Sequence, residues 1–116
     1  LPPRWYSRGV RKYINYYKVK FFADFVVYDQ EKFPRGLIIE VKGQNSGGSI
    51  DEKYVFTVLS LKQLYELYPG LHAWLVFSGE GARACVLEWL RSQDAPPTFR
   101  FITESELRQI LVKTFS

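Results

Sequence analysis

The 116 residues contain no methionine, one cysteine, one histidine and no long apolar run. Each scarcity excludes something. Cys85 alone cannot close an internal disulfide, so nothing in the chain calls for an oxidising compartment and a cytoplasmic location is the expectation. Cys85 and His72 together cannot complete a tetrahedral zinc site, and Cys–His catalysis would have only this one pair to draw on. No stretch reaches the ~20 apolar residues that span a bilayer. Leu1-Pro2-Pro3-Arg4 has no apolar segment behind it that would read as a signal peptide. The missing methionine and abrupt start lead to the expectation that these residues belong to a longer polypeptide.

Acid is also missing from one end. Residues 1–20 hold Arg4, Arg8, Arg11, Lys12, Lys18 and Lys20 and no carboxylate, a local charge of +6. With a net charge of +4, the remainder carries +4 − 6 = −2. Interleaved with Trp5, Tyr6, Tyr13, Tyr16 and Tyr17, these cations suit a polyanion through phosphate pairing and base stacking. A solvated, tyrosine-rich edge hairpin would produce the same composition.

What is present is an ordinary globular composition, 47% hydrophobic, 24% charged and 17% aromatic, which argues against disorder. The length suits one domain with one core, so residues 1–116 are read as a single unit. β-branched and aromatic residues predict strands over 13–20 and 21–29, a turn over 30–36 and a third strand over 37–42. A Gly-Gln-Asn-Ser-Gly-Gly loop follows at 43–48. Ser49 with Glu52 reads as a capping box opening a helix that Pro69-Gly70 stops near Tyr68. Its apolar positions (Ile50, Val55, Val58, Leu59, Leu61, Leu64, Tyr65) cover much of its circumference, which predicts a centrally buried helix. A strand over 72–78, a helix over 82–91, a loop over 94–97 and a short strand over 99–102 come next. Thr103 with Glu106 makes a second capping box, for a last helix with one stripe of Leu107, Ile110, Leu111 and Phe115. A β-meander followed by α-β-α-β-α is an α/β sandwich with a mixed sheet.

Chemistry concentrates in Leu37-Ile38-Ile39-Glu40-Val41-Lys42-Gly43. Alternation along a strand puts Glu40 and Lys42 on one face and Ile39 and Val41 on the other. Charges in an otherwise apolar strand are costly to desolvate unless paired, metal-bound or at a cleft. An exposed, salt-bridged pair is the plain alternative. Asp24 is a second embedded acid, among Phe22, Phe25 and Val27. If strands 21–29 and 37–42 form a hairpin, Asp24 lies near Glu40. Adjacent carboxylates repel, and a hard divalent cation such as Mg²⁺ relieves them. Lys42 would then orient the attacking water or neutralise charge in the transition state.

An Asp at a hairpin, then Glu-x-Lys on the next strand, then a helix and a strand, resembles the PD-(D/E)XK nuclease superfamily. The residues that carry the resemblance are Ala23-Asp24, Glu40-Val41-Lys42 and the segments 42–53 and 76–82, which look like those of type II restriction endonuclease cores. The resemblance implies a restriction-endonuclease-like α/β/α sandwich that hydrolyses DNA with Mg²⁺, or Mn²⁺ as substitute. Asp24 and Glu40 would be metal ligands and Lys42 the catalytic lysine, with Gln44 and Lys53 joining Arg4, Arg8, Arg11 and Lys12 in contact with DNA. A membrane is not an expected partner, and a homodimer and a larger polypeptide both stay open.

The chain departs from the family pattern in places. Ala23 stands where the family often has proline, no helix is evident in residues 1–18, and Gln63 is followed four residues on by Leu67 rather than tyrosine. The last departure favours an endonuclease-like member. Asp51 and Glu52 read as a third carboxylate source or as capping charges, Lys53 as a phosphate contact or a surface ion pair. Ser78-Gly79-Glu80-Gly81 lacks the Lys-Ser/Thr ending of a phosphate loop. His72 reads as a surface histidine and Cys85 as a small buried hydrophobe. Two rival readings remain: a nuclease-like fold that binds nucleic acid or protein without cutting, and a structural domain in which Glu40 and Lys42 pair in solvent far from Asp24.

Overall fold

In the computed structural model the described residues are 4–8, 12–14, 20–43, 50–78, 88, 90–92 and 94–116. β-branched and aromatic runs form the strands: β1 (Arg4–Arg8), β2 (Lys12–Ile14), β3 (Lys20–Phe22), β4 (Phe25–Asp29) and β5 (Phe33–Gly43). Helix α1 (Ile50–Leu67) and β6 (His72–Ser78) follow, then β7 (Phe99–Thr103) and helix α2 (Glu104–Phe115). Five strands make one sheet in the order β1-β4-β5-β6-β7, and β2 and β3 form a separate two-stranded sheet. The pairings β1–β4 and β4–β5 are antiparallel, whereas β5–β6 and β6–β7 are parallel. The sheet is therefore mixed, as the meander followed by α-β-α-β-α requires. A parallel neighbour needs a crossover, and α1 supplies it between β5 and β6.

Alternation along β5 divides the core between two sheet faces. Ile38 packs with Val58, Leu61 and Leu64 of α1, with Leu75 and Phe77 of β6 and with Leu90. Ile39 and Leu37 pack on the other side with Trp74 and Val76, against Leu107, Ile110, Leu111 and Phe115 of α2. Helices on both faces make the expected α/β/α sandwich. Each fully buried leucine, such as Leu61, Leu64, Leu71 and Leu75, contributes about 2 kcal/mol through removal of its surface from water.

Several boundaries differ from the sequence reading. The strand expected over 21–29 is broken by a bend at Asp24, between β3 and β4. Of the strand expected over 13–20, residues 15–19 lie outside the described residues. The turn before β5 is shorter than expected, because Asp29 Oδ1 accepts from the N–H groups of Glu31 and Lys32 at 3.0 and 3.1 Å and closes it there. β5 thus starts at Phe33, and the surplus residues are absorbed by a register shift between Val27 and Asp29. Gly36 lies opposite that shift with φ of 100°, a conformation open to glycine and strained for other residues. Nor is α1 buried all round: Phe56 is 68% and Leu59 55% exposed. An apolar residue count cannot tell a helix lying on a sheet from one surrounded by it. The Ser49 capping box and most of the helix expected over 82–91 lie outside the described residues, although 88 and 90–92 are helical.

The second capping box is present as read. Thr103 Oγ1 accepts from the Glu106 N–H at 3.3 Å, and Glu106 Oε1 accepts from the Thr103 N–H at 3.1 Å. Partial burial would raise the Glu106 carboxyl pKa, but the bonds from Thr103 and the Arg91 guanidinium outweigh it and hold it below the usual 4.5. Replacement of Thr103 by alanine is expected to cost about 1 kcal/mol in urea unfolding at neutral pH. A carboxyl with a depressed folded pKa stabilises fully above the unfolded value of 4.5 and loses that contribution as pH falls through the lower folded value. Stability measured from pH 6 downward on wild type and Glu106→Gln should therefore converge in acid.

Candidate metal-dependent active site

The bend at Asp24 arises because its backbone leaves the strand ladder. Its N–H donates to Glu40 Oε1 at 2.7 Å, and its own Oδ2 accepts from the Val41 N–H at 2.9 Å. The two bonds are reciprocal: each carboxylate takes the main-chain donor beside the other. Register leads to the same place, since Phe25 pairs with Ile39 and Val26 with Ile38, so the chain before Phe25 meets β5 at Glu40 and Val41. The hairpin expectation is met at this point, by side chains instead of a continued ladder.

Glu40 occupies the α1 side of the sheet, two residues from Ile38 and in register with Leu75. Only 3% of it is exposed. Burial pushes its pKa above the ordinary value, helped by the charge of Asp24 and opposed by the Asp24 N–H and by Lys42. Lys42 Nζ lies 3.4 Å from Glu40 Oε2, with its side chain 29% exposed. The three side chains Asp24, Glu40 and Lys42 are thus brought together, one acid buried, the lysine reaching solvent. This overturns the reading of Glu40 and Lys42 as a solvent pair remote from Asp24.

Each carboxylate has one oxygen committed to a main-chain donor; of the other two, Glu40 Oε2 faces Lys42 Nζ at 3.4 Å and Asp24 Oδ1 accepts no hydrogen bond among the described residues. These are hard oxygen donors, as Mg²⁺ or Mn²⁺ requires, and two carboxylates complemented by water and substrate oxygen are a normal magnesium set. The residues present fit such an ion. Among the described residues no group of three or more His, Cys, Asp or Glu side chains gathers anywhere.

The remaining residues named from the sequence fall in different places. Arg8 in β1 is in register with Phe25, next to Asp24, and Lys12 in β2 with Phe22, two residues before it. Arg4 pairs with Asp29 at the far end of β1. Lys53 lies in the first turn of α1. Arg11, Gln44 and Cys85 lie outside the described residues. His72 opens β6 in register with Leu37, with its ring edge-on to Phe33 at 4.9 Å. It is half-buried, so not the surface histidine expected, and burial together with Arg100 lowers its pKa. The sequence reading missed the main-chain N–H groups of Asp24 and Val41. Backbone donors have no side-chain signature; the acids embedded in two consecutive apolar strands were the only sign of them.

A family model described as a PD-(D/E)XK nuclease superfamily domain matches residues 9–115, almost the whole chain. No match was found among curated proteins or among solved structures. No helix of the described residues is long and apolar enough to cross a membrane.

The interlock has consequences for stability that do not depend on activity. Asp24→Ala leaves the Val41 N–H without its acceptor and is expected to cost about 1–3 kcal/mol. Glu40→Gln keeps an acceptor for the Asp24 N–H while removing a buried charge, and should leave stability equal or higher. Guanidinium unfolding of the three proteins in EDTA reads both; a large loss in Glu40→Gln would show that the charge itself holds the fold.

Proposed function

From a chain that belongs to the PD-(D/E)XK nuclease superfamily, we propose a Mg²⁺-dependent endonuclease that hydrolyses phosphodiester bonds in DNA, with Asp24, Glu40 and Lys42 as its catalytic residues. The observation that carries this reading is the interlocked carboxylate pair with the Lys42 ammonium 3.4 Å from Glu40. Asp24 and Glu40 would hold the ion. When bound, such a cation stabilises the charge that develops on the phosphate and favours ionisation of a water.

The chain's own groups do the rest. The N–H groups of Asp24 and Val41 fix both carboxylates, so no reorganisation is needed when a substrate arrives. Burial of Glu40 keeps that carboxylate from bulk water on one side. Lys42, partly exposed, places a positive charge and N–H donors where a phosphate oxygen or attacking water meets the site. DNA enters this reading through the family and through the basic N-terminal strands. Arg8 and Lys12 have register positions beside Asp24 and are the first candidates for phosphate contacts; Arg4 lies four residues further along β1, about 13 Å away at strand rise. Arg11, Gln44 and Lys53 complete the proposed contact set.

Supercoiled plasmid incubated with Mg²⁺ or Mn²⁺ should be nicked by the wild type and left intact in EDTA. Lys42→Ala and Asp24→Asn, with folding intact, should lose at least about 100-fold in rate. Wild type that binds DNA in the presence of Mg²⁺ yet leaves every form uncut would favour a silent, nucleic-acid-binding module. Equal cutting by wild type and variants would place the chemistry elsewhere.

Binding of a short duplex in Ca²⁺ should weaken steeply with salt. Arg8→Ala and Lys12→Ala should each lower the slope of log K against log[salt] by about 1. A slope that neither changes would remove these residues from the interface.

A further inference from the structure

Among the described residues β7 closes one side of the five-stranded sheet, with β6 as its only strand neighbour. A bare strand edge is a template on which another strand can add. The bond from the Ala73 N–H to Thr98 O, with Ala73 in parallel register with Phe99, turns the backbone groups of Phe99, Phe101 and Thr103 away from β6. Three different devices occupy this outer edge. The Phe99 N–H donates to Pro96 O at 2.9 Å, and the Thr103 N–H donates to Glu106 Oε1 at 3.1 Å. Between them, Arg91 Nε donates to Phe101 O at 2.9 Å.

The outer two are local, made within three residues. The middle one spans ten and comes from helical residues 90–92. The same guanidinium holds both carboxylate oxygens of Glu106 through Nη2, at 3.0 and 3.1 Å. Beside the strand lies an open cavity of about 410 Å³, bounded by Pro96, Pro97 and Ile110 as well as Arg91, Phe101 and Glu106. The guanidinium thus stands between this cavity and the edge of β7.

We propose that Arg91 guards this edge: it closes the middle of β7 against pairing with the same edge of a second copy of the chain. Two β7 edges related by a twofold axis would meet antiparallel, each presenting outward N–H and C=O groups to the other. Arg91 opposes this in two ways. It occupies the Phe101 carbonyl, and with Glu106 it puts an ion pair that is costly to desolvate on the line along which two copies would join. Arginine does this with one planar fork that reaches the carbonyl and the carboxylate at once; lysine would give up the fork and keep the charge beside Glu106.

The test compares wild type, Arg91→Ala and Arg91→Lys by sedimentation equilibrium from roughly 10 to 100 µM, with thermal unfolding alongside. Arg91→Ala should reach about twice the wild-type weight-average mass at the upper concentration, and Arg91→Lys should stay close to wild type. Adding Pro97→Lys to Arg91→Ala puts a charge beside the same edge and should restore the wild-type mass. A folded Arg91→Ala with wild-type mass throughout would overturn the proposal and leave Arg91 as a stabilising contact. Association that Pro97→Lys fails to reverse would overturn it too, since it would run through another surface. Should Arg91→Ala not fold, Arg91→Gln against Arg91→Lys decides: association of the uncharged variant alone supports the guard, and equal masses refute it.

Discussion

The reciprocal bonds between Asp24 and the Glu40-Val41 stretch are the constraint from which the site follows. A continuous antiparallel ladder turns only alternate residues toward the partner strand, so it could have used just one of the Asp24 and Val41 N–H groups across this hairpin. Instead both donors go to carboxylates, at 2.7 and 2.9 Å. The ladder must stop there, and β3 and β4 are separate strands for that reason. What is lost in sheet continuity is returned as two carboxylates of fixed orientation mounted on paired strands, the kind of rigid support a reactive site requires.

The arrangement sets function against stability. Glu40 projects to the face that Ile38 shares with α1, and a leucine there would extend that core with no desolvation cost. The buried charge is tolerated because the Asp24 N–H and Lys42 both favour the ionised form, yet burial still dominates and leaves its pKa raised. In the proposed nuclease a bound cation would complete the compensation of this acid and of Asp24 beside it. Any ion that binds the folded site and not the unfolded chain would stabilise the fold by mass action.

The two edges of the sheet are differently finished. β1 brings a segment with no acidic residue alongside β4, its Arg8 in register one residue from Asp24. β7 is closed by Pro96, Arg91 and the α2 capping box, and Glu106 serves the last two together. Glu106 thus links the start of α2 to helical residues 90–92 across the strand end. Its depressed pKa has the same cause as its structural role, several donors converging on one carboxylate.

Local order in the sequence determined a good deal. Alternation along Ile38-Ile39-Glu40-Val41-Lys42 put Glu40 and Lys42 on one face, and the Thr103–Glu106 spacing announced the start of α2; both depend on residues a few positions apart, where backbone geometry is nearly fixed. Asp24 stood out as an acid in apolar surroundings. The resemblance then gave the family. Tertiary structure alone decided how these pieces meet. That Asp24 and Val41 exchange main-chain donors with carboxylates depends on which residues of β4 and β5 stand in register, and the shift opposite Gly36 belongs to that same pairing. Phe56 and Leu59 are exposed because α1 lies on one face of a sheet, and Arg91 finds Phe101 O because helical residues 90–92 fold back over β7. Periodicity records which face of its own element a side chain takes. Only the packing of elements distant in sequence determines what that face meets.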